Sequence, residues 1–346
     1  MRFDPLALPL LTAELPGVGG ATRDPEDFVV EELPAYLPCG EGEHTLVRIE
    51  KRGLTTPQAI DRLARAVGVS PATVGYAGMK DRHAVTRQWL SFSGVDPAAL
   101  LAVEGPELRV LEAGRHKNKL RTGHLQGNRF VLVLRGVREG DAVAGARAIL
   151  ARLTESGVPN YYGAQRFGSA GDNAERALAM LRGEEKLPRD RHQHRLLVSS
   201  LQSFLFNAVL AERIGQGLLA NLLGGEVLQR TDSGGLFVSE ERETDQARLE
   251  RGELVITGPM CGPRMPRPKE GSAAREAEDR VLDAHRVGPD DFARFGRLAR
   301  GGRRPLAVPL GEPELETVVD DPSALRLRFA LPAGAYATVV LRELCK

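Results

Sequence analysis

Gly75-Tyr-Ala-Gly-Met-Lys-Asp-Arg-His-Ala-Val-Thr-Arg-Gln88 is the stretch on which the reading of this chain turns. Gly75 and Gly78 let the backbone turn tightly. Lys80, Asp81 and Arg82 follow as consecutive charges before Trp89-Leu90 resumes apolar sequence. A carboxylate between two cations is favoured in its ionised form and stays available as a nucleophile or base. An isolated Lys-Asp-Arg triplet is ordinarily a solvated turn, so the weight placed on Asp81 depends on what surrounds it.

Upstream, Ile60, Leu63, Ala64 and Val67 recur at helical spacing behind Pro57, which predicts a helix over residues 56–67 with Thr56 as N-cap and Gly68 at its end. That helix would present the Asp81 loop from a rigid element. Residues 22–49 read as β-rich, with Phe-Val-Val-Glu-Glu and Thr-Leu-Val-Arg-Ile-Glu as short strands around a Pro/Gly-rich loop. Phe28 heads the first of them, a setting in which a core aromatic is the ordinary outcome.

Downstream, Trp89-Leu-Ser-Phe-Ser-Gly94 reads as a strand leading away. Arg115, Lys117, Lys119 and Arg121, with His116 and no acid among them, form either a phosphate-binding patch or a solubilising loop. In Gly127-Asn-Arg-Phe-Val-Leu-Val-Leu-Arg-Gly136, apolar residues of both parities predict a strand buried on both faces, with Asn128 in the turn that enters it. A helix follows over 141–153, and beyond Gly157 and Pro159 the texture changes to helices and charged connections up to about residue 304. The clearest of these helices covers 198–214, while 239–251 and 270–286 read as solvated helices. His192 and His194 lack a nearby third ligand and read as loop or RNA-contact residues rather than a metal site. Residues 325–331 return to strict alternation, Leu325, Leu327 and Phe329 against Arg326 and Arg328, a strand that belongs with the sheet begun by residues 28–135. The middle of the chain then becomes an insertion.

Composition bounds the partners. The chain has 346 residues and a formal net charge of +1, so attraction to a polyanion must come from local patches. Cys39, Cys261 and Cys345 form no Cys-x-x-Cys pair, which fits a reducing cytosol without a disulfide scaffold or zinc site. The opening Met-Arg-Phe-Asp-Pro-Leu-Ala-Leu-Pro is a poor signal peptide, and no apolar run approaches the roughly 18 residues that a membrane helix needs. No sustained apolar seam is visible, so a monomer is expected.

Several strings recur together. Pro25-Glu-Asp-Phe-Val-Val-Glu-Glu32, Gly42-Glu-His-Thr-Leu-Val-Arg-Ile-Glu-Lys-Arg-Gly53, His116-Lys-Asn-Lys-Leu-Arg121, Gly127-Asn-Arg-Phe130, Gly157-Val-Pro-Asn-Tyr-Tyr-Gly-Ala-Gln-Arg-Phe-Gly168 and the run from Leu331 to Leu344, with the Tyr76–Trp89 motif, resemble the TruD-type pseudouridine synthases in that family's order. The resemblance implies an α+β protein of two domains. A catalytic domain, residues 1–156 and 305–346, would carry a mixed, largely antiparallel sheet flanked by helices, interrupted by an inserted α/β TRUD domain, residues 157–304. It implies a cytoplasmic isomerase that converts uridine, at position 13 in the D arm of tRNA, to pseudouridine, with tRNA as partner and neither an obligate protein partner nor a membrane.

The same resemblance assigns Asp81 as the catalytic carboxylate and Phe28, Asn128 and Phe329 as substrate contacts, with Phe130 beside them. Such enzymes usually carry a lysine three positions before the proline of Pro-Glu-Asp-Phe; here that position is Thr22, which leaves Lys80, Arg23 and Arg166 as candidate charge partners of Asp81. Gln88 and Tyr162 also fall within matching motifs. Arg303 and Arg304, with Arg297 and Arg300 and the 115–121 patch, would line an RNA cleft.

The chemistry asks for little else. The N1–C1′ bond breaks, the base rotates and C5 rejoins C1′, with no electrons gained or lost, so no cofactor is expected, and the sequence has no Gly-x-Gly-x-x-Gly or P-loop. Attack on the sugar, attack on the base and removal of a sugar proton all remain open to the carboxylate. The target base must be flipped out, at a cost of a few kcal/mol, which aromatic stacking offsets by about 1–3 kcal/mol per base. A tRNA-binding module or RNA chaperone on the same fold is the alternative, though a pure binder has no need of Asp81. A zinc deaminase would need His-x-Glu and Pro-Cys-x-x-Cys, which are missing.

Overall fold

A short strand β1 (Gly19–Ala21) precedes two strands whose alternation is legible in the sequence, β2 (Phe28–Pro34) and β3 (His44–Lys51). The computed structural model describes residue 4, residues 7–138 and residues 140–346. Helix α1 (Thr56–Ala66) follows, and its N-cap is Thr55 rather than Thr56: the Thr55 hydroxyl accepts the Gln58 N–H while Gln58 reaches back to the Thr55 amide. Thr56 is thereby freed to point inward. The short β4 (Gly75–Tyr76) leads through the Asp81 loop to β5 (Val85–Ser93), then α2 (Pro97–Leu101), β6 (Glu104–Gly105), β7 (Leu108–His116), the long β8 (Leu125–Val137) and α3 (Ala142–Ser156).

The middle of the chain contains β9 (Val158–Pro159), α4 (Asn173–Arg182), α5 (Arg191–Gly215), β10 (Val227–Arg230), β11 (Leu236–Val238), α6 (Arg242–Glu250), β12 (Leu254–Met260), α7 (Ala273–Ala284), β13 (Gly302–Pro305) and β14 (Ala307–Val308). Helix α5 begins earlier than its apolar spacing indicates, because Asp190 caps it by accepting the His192 and Gln193 amides, so His192 and His194 lie in a helical turn and not in a loop. Its apolar face, Leu197, Val198, Leu201 and Leu205, packs with Ala177 and Met180 of α4 and with Phe292 and Phe295. A four-stranded sheet ordered β11-β10-β12-β13 accompanies these helices. Its strands are short and carry Gly, Pro and Arg, for example Gly302-Arg-Arg-Pro305, so no alternation announces them in the sequence.

The chain closes with β15 (Gly311–Val318), β16 (Asp321–Pro332) and α8 (Ala337–Cys345). As the alternation of residues 325–331 implies, β16 joins the first sheet, pairing with β8. The sheet order is β15-β16-β8-β2-β5-β3-β7-β6, with β1 beside β8 and β4 beside β5. Among the described residues its pairings are antiparallel except β2 with β5, which run parallel. This is the expected α+β class with a mixed, largely antiparallel sheet.

The chain divides into two compact units, one comprising Leu15–Thr154, Pro309–Ala337 and Leu344–Lys346, the other Glu155–Val308, Thr338–Glu343 and the described residues up to Glu14. The sequence places both chain ends with the sheet. In the structure the first stretch and Thr338–Glu343 group with the middle segment, where the buried Glu343 carboxylate accepts the Leu11 and Thr12 amides and the Thr12 hydroxyl.

Asp27 fixes how β2 starts. Its side chain is 1% exposed and receives the Arg135 guanidinium together with the Arg23 and Asp24 amides. Burial pushes its pKa up, but the Arg135 hydrogen bonds and the two amides outweigh this and hold it below the ordinary carboxylate range. A depressed native pKa contributes stability above the unfolded value near 3.9, and that contribution is lost as pH falls through the native value. Asp27→Asn is therefore expected to lower the unfolding free energy by about 1–3 kcal/mol at pH 7. The gap between variant and wild type should shrink as urea unfolding is repeated at progressively more acid pH.

Candidate active site

Strand register brings the sequence candidates onto one face of the large sheet. Phe329 pairs with Phe130, Phe130 with Val30, Val30 with Thr86 and Thr86 with Lys51, a single row crossing β16, β8, β2, β5 and β3. Directly paired residues share a face, so these five side chains do too. One step along, Leu331 pairs with Asn128 and Asn128 with Glu32, while Ile49 pairs with Gln88. One step the other way, Leu327 and Phe28 flank Leu132. With strands about 4.8 Å apart, Phe130 and Lys51 stand roughly 14 Å apart across the face.

The aromatics of these rows touch. Phe130 stacks on Phe329 with centroids 5.4 Å apart, and Phe28 meets the edge of Phe130 at 6.3 Å. Phe130 and Phe329 are buried; Phe28 is half-buried. Helix α1 covers a neighbouring part of the same face, where Ile60, Leu63 and Ala64 pack on Val47, Ile49 and Leu90. Asn128 Oδ1, Thr86 Oγ1 and Gln88 Nε2 lie on this face as buried polar atoms without hydrogen-bond partners. Native interiors rarely leave such atoms unpaired, and a cluster of them calls for an explanation.

The loop from Ala77 to Ala84 is pinned by buried groups of this face. Lys80 extends its ammonium to the Glu32 carboxylate at 2.5 Å, with side-chain exposures of 6% and 0%, and Glu32 also accepts the Trp89 amide. The Lys80 amide donates to the Thr56 hydroxyl, which donates onward to Gln88 Oε1. Lys51, 0% exposed, donates from Nζ to the Leu54 carbonyl at 2.6 Å and the Asp81 carbonyl at 2.9 Å. Burial pulls the Lys51 pKa down to about 8, the Asp81 charge opposing that fall and the Lys80 charge adding to it. Asp81 itself is exposed, and its Oδ1 accepts the His83 amide at 2.9 Å. The result is a carboxylate reachable from solvent on a loop whose main chain is tied to a sealed ammonium. Gly75 serves differently from the turn expected of it: a Cβ there would collide with the Leu120 carbonyl and Ser91 Oγ.

Other candidates have partners of their own. Lys80 spends its charge on Glu32. The Arg23 guanidinium lies against Gly136, at the opposite end of β8 from Asn128. Arg166 belongs to the second unit, where its Nε donates to Ser203 Oγ and its guanidinium lies 5.4 Å from the Tyr162 ring centre. Arg303 must be corrected as a phosphate contact: its side chain is 1% exposed, bonded to both oxygens of Glu278 and to Thr257, so its charge is consumed inside the unit. Arg304 is drawn in similarly, bonded to Asn160 and seated 4.2 Å from the Tyr162 ring centre. His116 is 8% exposed and stacks under Tyr36 at 4.6 Å, which removes it from the surface patch as well. Lys117 and Arg121 stay exposed, Lys117 beside Glu41, while Arg115 and Lys119 are half-buried.

Glu32 and Lys51 were not singled out by the sequence reading, although a signal for them exists. In Phe28-x-Val30-x-Glu32 and Val47-x-Ile49-x-Lys51 the charged residue occupies the position that alternation assigns to the apolar face. A charge at an inward position is the pattern of a buried, paired group. Among the described residues no group of three His, Cys, Asp or Glu could hold a metal ion, and no helix is long and apolar enough to cross a membrane.

The family model described as tRNA pseudouridine synthase D (TruD) matches residues 6–186 and 185–344. The tRNA pseudouridine synthase D of Anaeromyxobacter dehalogenans strain 2CP-C is 49% identical, over 98% of this chain and 96% of its own length. A tRNA pseudouridine synthase D of Thermus thermophilus is 44% identical, over 99% of this chain and 94% of its own length. A crystal structure described as a putative tRNA pseudouridine synthase D from Methanosarcina mazei superposes with a TM-score of 0.80 at 23% identity, covering 98% of this chain and 96% of that one, a likeness of fold.

The Lys80–Glu32 pair generates a test. Removing one member of a buried ion pair strands the other charge, so Lys80→Met is expected to cost about 3–5 kcal/mol in denaturant unfolding. Adding Glu32→Gln should recover most of that loss, because no uncompensated charge then remains buried.

Proposed function

The chain belongs to the TruD family of tRNA pseudouridine synthases, and from that premise we propose that it isomerises uridine 13 in the D arm of tRNA, with Asp81 as the nucleophile and no cofactor. It is a tRNA pseudouridine synthase, an isomerase. The observation that carries the finer reading is the shared sheet face: Asn128, Phe130 and Phe329 lie in adjoining rows of the same face whose Lys51 bonds the Asp81 main chain.

In this reading the uridine leaves its helix and enters between the Asp81 loop and the aromatic rows. Phe28, the most exposed of the three rings, offers the incoming base a stacking edge, and the Phe130–Phe329 pair forms the floor. The unpartnered Asn128 Oδ1 accepts the uracil N3–H. Cytosine presents a bare acceptor at N3, so a buried oxygen there rejects it by leaving two acceptors facing each other. The Asp81 carboxylate then adds to the substrate, the N1–C1′ bond breaks, uracil turns on its floor, C5 bonds to C1′, the bond to Asp81 breaks to return the free carboxylate, and the C5 proton is lost as N1 regains one. Atoms and electrons balance without an outside reagent. Exposed Lys117 and Arg121, with half-buried Arg115 and Lys119, supply phosphate contacts, whereas Arg303, Arg304 and His116 serve internal packing. The middle unit corresponds to the inserted TRUD domain, and the enzyme works as a cytoplasmic monomer with tRNA as its partner.

Asp81→Asn should abolish pseudouridine formation, by at least about a thousandfold in single-turnover rate, while tRNA affinity stays within about twofold of wild type. The readout is carbodiimide mapping on unmodified tRNA incubated without metal or nucleotide. Wild-type turnover by the Asn variant would remove Asp81 from the mechanism, and binding without any turnover by the wild type would favour the RNA-chaperone alternative. Asn128→Ala should cost turnover by about 1–3 kcal/mol in transition-state stabilisation with little change in folding, since it deletes an unpaired atom. Phe329→Ala discriminates less well: the ring is 1% exposed, so its removal also costs about 3–5 kcal/mol of stability.

A further inference from the structure

Lys51 is a costly residue at its position. It lies on the inward face of β3 beside Val47 and Ile49, wholly buried, where an aliphatic side chain would satisfy the core and a charged one pays desolvation. What it does there is specific: its Nζ joins the Leu54 carbonyl, just ahead of α1, to the Asp81 carbonyl. The other buried cation of the face, Lys80, is committed to Glu32, and Arg23, the sequence neighbour of Thr22, leans on Gly136. The groups that act on Lys51 from the loop are Asp81 and Lys80, the latter already neutralised by Glu32 of β2, with Arg82 turned to the Gly53 carbonyl and His83 donating its amide to Asp81. From β5 it faces Thr86, which is uncharged.

We infer that Lys51 is the positioning cation for the reaction: from beneath the loop its ammonium fixes the Asp81 main chain and biases the carboxylate toward the ionised, forward-presented form. It acts through Asp81 and never meets the uridine, so the inference rests on the assignment of Asp81 made above. The identity of the cation is what it adds, since neither Lys80 nor Arg23 is disposed to serve. The dependence has a direction. The charged form of Lys51 is required, and burial brings its pKa to about 8. Turnover should therefore decline as pH rises through that region, and loss of the positive charge should move the acid limb belonging to Asp81 upward.

The test compares wild type, Lys51→Met, Lys51→Ala and Asp81→Asn in single-turnover pseudouridine formation on unmodified tRNA across pH 5–10, with tRNA affinity measured in parallel. Lys51→Met is expected to lower the rate at least about tenfold with affinity nearly unchanged, to raise the acid limb and to abolish the alkaline decline. Lys51→Ala should regain activity with n-propylammonium, which replaces the deleted atoms with their charge, and not with n-propanol, which replaces only their bulk. Equal rescue by the two additives, or a Lys51→Met enzyme with the wild-type rate and pH profile, overturns the inference and leaves Lys51 a packing residue. Should neither Lys51 variant fold, the wild-type profile decides: a rate that stays flat through the alkaline range overturns it. Failure of the Asp81 assignment is separable, because it shows as turnover by Asp81→Asn whatever the Lys51 variants do.

Discussion

Two charges of opposite sign, Glu32 and Lys51, are sealed on one face of the large sheet, and the Asp81 loop meets the needs of both. Lys80 neutralises Glu32, and the Asp81 carbonyl accepts from Lys51. A loop that lifted away would leave an ammonium and a carboxylate in a low-dielectric interior, each at a cost of several kcal/mol. The loop is therefore held by the penalty for releasing it, which suits a glycine-containing segment with little apolar surface of its own to bury.

The same face carries a second kind of incompleteness. Asn128 Oδ1, Thr86 Oγ1 and Gln88 Nε2 lack partners, and each unpaired buried atom costs about 1–3 kcal/mol. Gln88 is half satisfied, its oxygen tied through Thr56 to the Lys80 amide, so the loop, the start of α1 and the central strand β5 form one hydrogen-bonded chain. Strain of this sort is tolerated where a ligand relieves it, and its concentration beside Asn128 and Lys51 separates this part of the sheet from the fully apolar region under α1.

The second unit shows why basic residues are poor guides when read one at a time. Arg303 and Arg304 are consecutive in sequence and adjoin further arginines, the pattern of a polyanion-binding surface. In the fold Arg303 neutralises Glu278 and Arg304 lies over Tyr162. Arg213 is likewise buried against Glu226 and caps the Leu218 and Asn221 carbonyls. Planar guanidinium groups with several donors can be satisfied inside a protein, and only the positions of their partners reveal which ones are.

Alternation and helical spacing were enough to mark β2, β3, β8, β16 and α1, and the return of residues 325–331 to the first sheet, because those patterns follow from which side of each backbone must avoid water. The Gly75–Gln88 motif likewise drew attention to the loop that Lys51 and Lys80 pin in the fold, with Asp81 as its candidate carboxylate. Local spacing could not reveal the cap at Thr55, the small sheet around β12 or the early start of α5, where side-chain hydrogen bonds and short irregular strands carry no period. Nor could it reveal that Lys51 lies beneath Asp81 or that Lys80 reaches Glu32. Those pairings join residues 30 and 48 positions apart, and a charge finds such a partner only after register and burial have removed the water that would otherwise have solvated it.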